Sequence, residues 1–449
     1  MQLFVTIFED TPERAVDAIR ALDADHDGVE VRAETFRELD LDALRAATAK
    51  PMILTYRGSR VPDVPRALAA GIDYVDVEWR EGVEIAVPER TVLSHHDYEG
   101  MSSVETIMHA MRARGCAYTK LAATPRNFAD NETLLSLLPG TVIGMGERGL
   151  YSRILAPFRG SELAFVAASA LAAPGQLTLA RALEIYGPLS SRAGARDPGL
   201  GRGAMYAPRS PARPGPSTHA RDDRNLRVFA IAGNPAGHSL SPAIHNRLFR
   251  EKGVPAAYTI ASFASFGEIA DAFLRGEPCG LSVTAPFKDD AFAFAREQGA
   301  EIGGNAERAR AVNTLVSLGG RVLADNMDVD GFAALLPRAR KAAVVGAGGT
   351  ARAALVALED AGIPATQFNR TTTKGLALDK LQHFEGDLVI NTLPGEVALP
   401  MPPCDTYIEA AYGGAPREVA ARVRIGGLEL LHAQAVRQHE LFMRVFDGL

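Results

Sequence analysis

A chain of 449 residues is too long for one core, and 47% hydrophobic residues leave enough apolar sequence for about two to four domains. A net charge of −6 gives no global reason to expect nucleic acid or an anionic membrane as a partner, so the expected partners are small molecules. The three cysteines, Cys116, Cys279 and Cys404, are odd in number, far apart and without a CxxC, which argues against a disulfide framework or a metal site and fits a reducing cytoplasm.

The chain opens MQLFVTIFED, with acidic residues where a signal peptide needs an unbroken apolar core, and its longest apolar run, near Leu163, stops at Pro174. Neither an export signal nor a membrane span is expected. Up to about residue 186, short apolar runs alternate with amphipathic stretches: LFVTIF, GVEVRAE, MILTYR, YVDVEW, TVLSHHDY, YTKLAA, TVIGMG and LAFVAAS. Eight strands with helices between them predict a (β/α)8 TIM-type barrel, in which chemistry sits at the C-terminal strand ends. Only Arg80 to Glu89 separates the fourth and fifth runs, so the helix there is expected to be absent or a single turn. Glu30 and Arg32, Arg57, Glu78 and His96 stand at successive strand ends, and Lys120 interrupts the sixth strand. A lysine buried there is expected to lose its proton readily and attack a ketone, with His96 moving a proton at the adjacent carbon. A lone histidine is more often structural; Lys, Arg and Glu arriving together favour a site.

These residues resemble the type I 3-dehydroquinate dehydratases: VEVR (Val29 to Arg32), SHHDY (Ser94 to Tyr98), TKLA (Thr119 to Ala122), GMGERGLYSR (Gly144 to Arg153) and APGQ (Ala173 to Gln176) follow in the family's order. The resemblance implies an imine at Lys120, His96 as general acid and base, and Arg153 on the substrate carboxylate. It also implies that Glu30, Arg32, Arg57 and Gln176 hold hydroxyls or neighbouring charges. Tyr98 replaces the family's usual Phe, and RGSRVPDV after Arg57 lacks its Glu-Gly-Gly stretch.

Residues 187–226 are rich in Gly, Pro, Ser and Arg and show no period, which predicts a flexible linker. Beyond it, the apolar run ending at Ala232 leads into GNPAGHSLSPAIHN, read as strand, loop and a helix started by Ser241-Pro242. Ser239, Ser241 and the helix-start amides converge on one small anion. GLSVTAPFK brings Lys288 and ADNMDVDGF brings Asp328, a pair able to take the proton of a secondary alcohol during hydride transfer. AAVVGAGGTARAALVAL is a strand, a glycine turn and a helix: Gly346, Gly348, Gly349 and Thr350 would meet a pyrophosphate, although Ala351 replaces the third glycine of the fingerprint. In FNRTTTK, Asn369, Arg370, Thr371 and Lys374 offer donors and positive charge to a 2′-phosphate, which favours NADP over NAD.

Residues 227–449 resemble shikimate dehydrogenase throughout, including VINTLPG and HAQAVRQHELF. That resemblance implies Thr284, Asn313 and Gln434 on ring hydroxyls, with Ser239 and Ser241 on the carboxylate and Lys288 and Asp328 as the catalytic pair. The expected architecture is α/β throughout: a barrel (1–186), the linker (187–226), a substrate domain (227–329 plus 428–449) and a Rossmann NADP domain (330–427). The function so implied is bifunctional: dehydration of 3-dehydroquinate to 3-dehydroshikimate, then NADPH-dependent reduction to shikimate. The rivals are a catabolic quinate/shikimate dehydrogenase and a ligand-sensing regulator on decayed domains. All four of Lys120, His96, Lys288 and Asp328 are present, which a decayed site has no need to keep.

Overall fold

A computed structural model describes residues 1–447 except 35, 37–39, 58–62, 169–171, 189–225, 372–374, 396, 398 and 413–416. The expected linker therefore lies almost wholly outside the described residues. The chain forms two compact units, the first comprising Met1–Leu226 with Phe249–Ser262 and the second Arg227–Leu248 with Phe263–Leu449.

In the first unit every predicted apolar run is a strand: β1 (Gln2–Ile7), β2 (Gly28–Arg32), β3 (Met52–Thr55), β4 (Tyr74–Glu78), β5 (Thr91–Asp97), β6 (Tyr118–Ala123), β7 (Thr141–Gly144) and β8 (Leu163–Ala167). They are arranged β7-β6-β5-β4-β3-β2-β1-β8, all parallel. The amphipathic stretches are the helices α1 (Pro12–Arg20), α2 (Leu41–Ala46), α3 (Val64–Ala69), α4 (Val104–Arg112), α5 (Phe128–Ser136), α6 (Leu150–Leu155) and α7 (Leu179–Tyr186). Side chains of Thr11, Asp40, Asp63, Asn127 and Thr178 cap five of these helices by accepting from a first-turn N–H. Between β4 and β5 there is only a 3₁₀ turn, Pro88–Arg90, as the short spacing predicts. The barrel is nearly closed: in place of a β7–β8 ladder, the Glu162 N–H donates to Gly140 O at 3.2 Å and the Leu163 N–H to Thr141 Oγ1 at 3.2 Å. Phe4, Ile53, Val92 and Leu163 pack a buried layer inside it. Strand β10 (Ala256–Ser262) also belongs to this unit, where Thr259 Oγ1 donates to Tyr151 O at 3.0 Å.

The second unit holds two sheets. One carries β9 (Arg227–Gly233), β11 (Gly280–Val283), β13 (Thr314–Leu318), β14 (Arg321–Asp325) and β12 (Glu301–Ile302) in that order, with the β11–β13 and β13–β14 pairs antiparallel. Its helices are α8 (Ser241–Lys252, running across the unit boundary), α9 (Gly267–Leu274), α10 (Lys288–Glu297) and α11 (Gly304–Ala309), followed by α12 (Met327–Leu335). The other sheet is fully parallel: β15 (Ala342–Val345), β16 (Ala365–Asn369), β17 (Leu376–Ala377), β18 (Leu388–Asn391), β19 (Cys404–Glu409) and β20 (Ala421–Ile425). Its spatial order, β17-β16-β15-β18-β19-β20, is the doubly wound 3-2-1-4-5-6 arrangement, whose ligand crevice lies outside the ends of the central strands. Both faces are covered. Val329, Phe332, Ala354 and Leu430 pack on one side, bringing in α12, α13 (Gly349–Asp360) and α14 (Gly427–Met443), while Phe368, Phe384 and Tyr407 pack on the other.

Candidate active sites

Parallel register places Lys120 beside Ser94, and Ser94 beside Glu78, on neighbouring strands of the barrel. Inward alternation then builds a buried ionic network. Lys120 is 3% exposed; its Nζ donates to Glu30 Oε1 at 2.9 Å, lies 3.5 Å from Asp76 Oδ2, and sits 3.8 Å from the centre of the Phe165 ring. Two buried carboxylates thus face this amine, because β2 and β4 each turn an acid inward. Asp76, fully buried, is gripped by Arg57 at 2.7 and 3.0 Å and receives the Ser94 hydroxyl at 2.6 Å. Arg57 also reaches Glu78 at 3.4 Å, and Glu78 accepts from the His96 backbone N–H at 2.9 Å and contacts His96 Nδ1 at 2.8 Å.

Charge follows from this geometry. Burial pushes the Glu30 carboxyl up, but Lys120, then Arg32 and Arg57, outweigh it and hold it down at about 2. Burial likewise opposes ionisation of Asp76 and Glu78, yet Arg57 and Lys120 lower the first and His96 lowers the second. His96 itself is pulled below its ordinary value by burial and by Arg57, against the opposing pull of Glu78. A neutral imidazole whose Nδ1–H is given to a carboxylate leaves the Nε2 lone pair for a substrate proton.

The remaining predicted barrel residues take different places. Gln176 acts behind Glu30: its Nε2 donates to Thr6 Oγ1 at 3.0 Å, and Thr6 Oγ1 donates to Glu30 Oε2 at 2.8 Å. Arg32 pairs with Glu34 and lies 5.3 Å from the Phe8 ring centre. Arg153, on α6, donates through Nε to Gly144 O at 2.9 Å, and burial pulls its guanidinium down to about 10, a state an incoming carboxylate would relieve. Sequence reasoning missed Asp76, Thr6 and Ser94. Asp76 had a signal, since in YVDVE it stands two residues before Glu78 and so on the same face of β4.

In the second unit, Lys288 opens α10 and Asp328 lies in the first turn of α12, whose N-cap Asn326 accepts the Asp328 N–H. Lys288 Nζ meets Asp328 Oδ2 at 2.5 Å and Thr350 Oγ1 at 2.8 Å. Asn313 Nδ2 donates to Asp328 Oδ1 at 2.9 Å and to Gln434 Oε1 at 3.0 Å, which joins four predicted residues into one cluster. Gly331 allows Gln434 in: a Cβ there would stand 3.1 Å from Gln434 Cβ. Ser239 is buried ahead of α8 and Ser241 is buried at its first position, the Ser241 N–H donating to Ser239 Oγ at 3.2 Å. Their loop begins against Thr284, whose N–H donates to Ala232 O at 2.9 Å.

At the glycine turn, Gly346 has φ +121°, closed to other residues, whereas a Cβ on Gly348 would meet nothing within 4 Å. That open face at the start of α13 fits an approaching pyrophosphate. Ala351, fully buried, packs in the core instead of needing glycine's freedom. Asn369 ends β16 and donates to Thr371 Oγ1 at 3.1 Å, with Arg370 exposed beside them; Lys374 lies outside the described residues.

A buried lysine with a carboxylate-held histidine on neighbouring strands of a barrel, and a Lys–Asp pair beside a doubly wound dinucleotide fold, define two enzyme sites: an imine-forming lyase and a nicotinamide-dependent oxidoreductase. Residues 3–192 match the family model for type I 3-dehydroquinase, and residues 231–315 match that for the shikimate dehydrogenase substrate binding domain. The barrel is thus similar to the type I 3-dehydroquinases, and residues 231–315 to the substrate binding domain of shikimate dehydrogenases. It is 26% identical to the shikimate biosynthesis protein AroDE of Chlamydia pneumoniae, over 94% of this chain and 91% of that protein. It is 27% identical to the pentafunctional AROM polypeptide of Yarrowia lipolytica, over 93% of this chain but only 28% of that much longer protein. Among solved structures, the dehydroquinate dehydratase and shikimate dehydrogenase part of S. pombe AroM aligns over 99% of this chain and 96% of that one, at 21% identity and a TM-score of 0.39. Shikimate 5-dehydrogenase from Thermus thermophilus aligns over 48% and 92%, at 26% identity and a TM-score of 0.41.

Proposed function

We propose that the chain carries out two consecutive steps, dehydrating 3-dehydroquinate to 3-dehydroshikimate in the barrel and reducing that product to shikimate in the second unit. The observation that carries this reading is the pairing, in one chain, of the Lys120–Glu30–Asp76–Arg57–Glu78–His96 network with the Lys288–Asp328–Asn313–Gln434 cluster. In the first site the Lys120 amine attacks the substrate ketone, water leaves, and an iminium forms. His96 Nε2 then takes a proton from the carbon beside the iminium and, as imidazolium, protonates the departing β-hydroxyl, after which water hydrolyses the iminium to release the ketone product and the Lys120 amine. Arg153 is assigned to the substrate carboxylate. Arg57 and Glu30 fix the charge around the iminium, Gln176 steadies Glu30 through Thr6, and Arg32 holds the rim.

In the second site Ser239 and Ser241 take the carboxylate, and Thr284, Asn313 and Gln434 the ring hydroxyls. Lys288 and Asp328 deliver a proton to the carbonyl oxygen as it becomes a hydroxyl. NADPH, when bound, supplies the hydride. Gly346, Gly348, Gly349 and the backbone of Thr350 would form its pyrophosphate turn, with Asn369, Arg370, Thr371 and Lys374 around the 2′-phosphate.

The proposed domain limits are those the sequence suggests, 1–186, 187–226, 227–329 with 428–449, and 330–427. The proposed place of action is the cytoplasm. Among the described residues no helix is long and apolar enough to cross a membrane, and the three cysteines are free thiols.

The test takes the half-reactions separately. Borohydride added with 3-dehydroquinate is expected to leave a reduced adduct on Lys120 by peptide mass mapping, and shikimate to be oxidised faster than quinate with NADP⁺. An unmodified Lys120 under turnover, or a preference for quinate, contradicts the reading.

A further inference from the structure

The side chain of Lys288 carries three N–H donors as an ammonium. Asp328 takes one at 2.5 Å and Thr350 Oγ1 another at 2.8 Å, so two are committed among the described residues and one is left for a substrate hydroxyl. Thr350 lies in the first turn of α13, where the glycine turn would suggest that its hydroxyl faces the nucleotide. Its hydroxyl oxygen instead accepts a hydrogen bond from the lysine. A second observation concerns the residue before it: a Cβ at Gly349 would stand 3.0 Å from Lys288 Cδ and 3.1 Å from both Lys288 Cβ and Ala311 Cβ. The start of α13 therefore lies directly against the stem of Lys288, at a distance only glycine permits without a shift. Stem and head of the lysine are held by two consecutive residues of one helix.

We propose that Thr350, seated by the glycine contact at Gly349, is a positioning residue for Lys288: it fixes the ammonium so that its third N–H points at the substrate oxygen. The inference rests on the reading of Lys288 and Asp328 as the proton-transfer pair, and it departs from the view of Thr350 as a nucleotide contact. A long lysine side chain has several rotatable bonds, and a single carboxylate partner leaves the ammonium free to swing about it. A second acceptor on a rigid helix removes that freedom. It also ties the geometry of proton transfer to the element that receives the nucleotide, so an ordered α13 start and an aimed lysine come together.

The experiment uses the full chain with T350V, which keeps the shape and removes the hydroxyl, and T350S, which keeps the hydroxyl. T350A, a pure deletion, repeats the comparison should T350V fold poorly. Three quantities are read: kcat and KM for shikimate oxidation across pH, the Kd of NADP⁺, and the pH dependence of Lys288 modification by an amine reagent, followed by mass spectrometry on the free enzyme. Loss of one hydrogen bond to a charged group corresponds to a fall of about tenfold or more in kcat. T350V and T350A are expected to show that fall with a displaced pH profile, a shifted midpoint for Lys288 modification and an unchanged NADP⁺ Kd, while T350S restores the wild-type values. The proposal is overturned if T350V matches the wild type in kcat and in Lys288 modification, or if its whole loss lies in NADP⁺ affinity. A wild-type chain inactive on shikimate would instead refute the functional reading, and the modification profile of Lys288 would still decide the role of Thr350.

Discussion

Glu78 and Lys120 show how much a single group in the barrel depends on its partner. Glu78 keeps His96 in the tautomer that leaves Nε2 basic, and a glutamine at that place can donate its amide to Nδ1 and reverse the tautomer. E78Q is expected to lower the dehydratase kcat by about 10²–10⁴, the usual range for general acid–base catalysis, with little change in KM; an unaltered kcat contradicts the assignment. Because burial and Arg57 hold His96 below its ordinary value, the wild-type rate is expected to persist as pH falls through 6.5 and to decline only below it. Lys120 also bears on stability. Glu30 is held at about 2, below its ordinary 4.5, so its stabilising contribution is complete above 4.5 and lost as pH falls toward 2. Replacing Lys120 by Met leaves that buried carboxylate without its principal cation, at a cost of about 3–5 kcal/mol. K120M is therefore expected to show that loss by urea unfolding at pH 7, with the deficit narrowing as pH falls and Glu30 takes up its proton; a wild-type stability at pH 7 would mean that the pair does not hold Glu30.

At the scale of elements, close approach between strand ends decides where the serine loop sits. A Cβ at Gly233 would lie 2.3 Å from Thr284 Cγ2, so G233A must push the end of β9 away from the segment after β11. We expect a stability loss of about 1–3 kcal/mol and a raised KM for shikimate, with dehydratase activity intact; an unchanged KM would separate the loop from substrate binding. The elements themselves were largely legible. Unbroken apolar runs between amphipathic stretches have few alternatives to a parallel sheet, and the twelve residues between β4 and β5 hold only the 3₁₀ turn. Glu30, His96 and Lys120 were legible as charges at strand ends, where burial is costly unless used. Asp76 was obscured because the sequence does not state which faces of two strands meet, and its value lies in bridging Arg57 and Lys120 across β3, β4 and β6. The bond from Lys288 to Thr350 was hidden for the same reason, since the two stand 62 residues apart and meet where the first turns of α10 and α13 come together.

For the molecule as a whole, the account requires two complete and independent sites in one chain, linked by an intermediate that leaves the first and enters the second. The direct test supplies 3-dehydroquinate and NADPH to the wild type, to K120A, to K288A and to an equimolar mixture of the two variants, and measures shikimate and 3-dehydroshikimate by chromatography. The wild type is expected to form shikimate, K120A to form neither product while still oxidising shikimate with NADP⁺, K288A to accumulate 3-dehydroshikimate, and the mixture to recover shikimate. Shikimate from K120A alone, or no 3-dehydroshikimate from K288A, would contradict the division of chemistry between the barrel and the second unit.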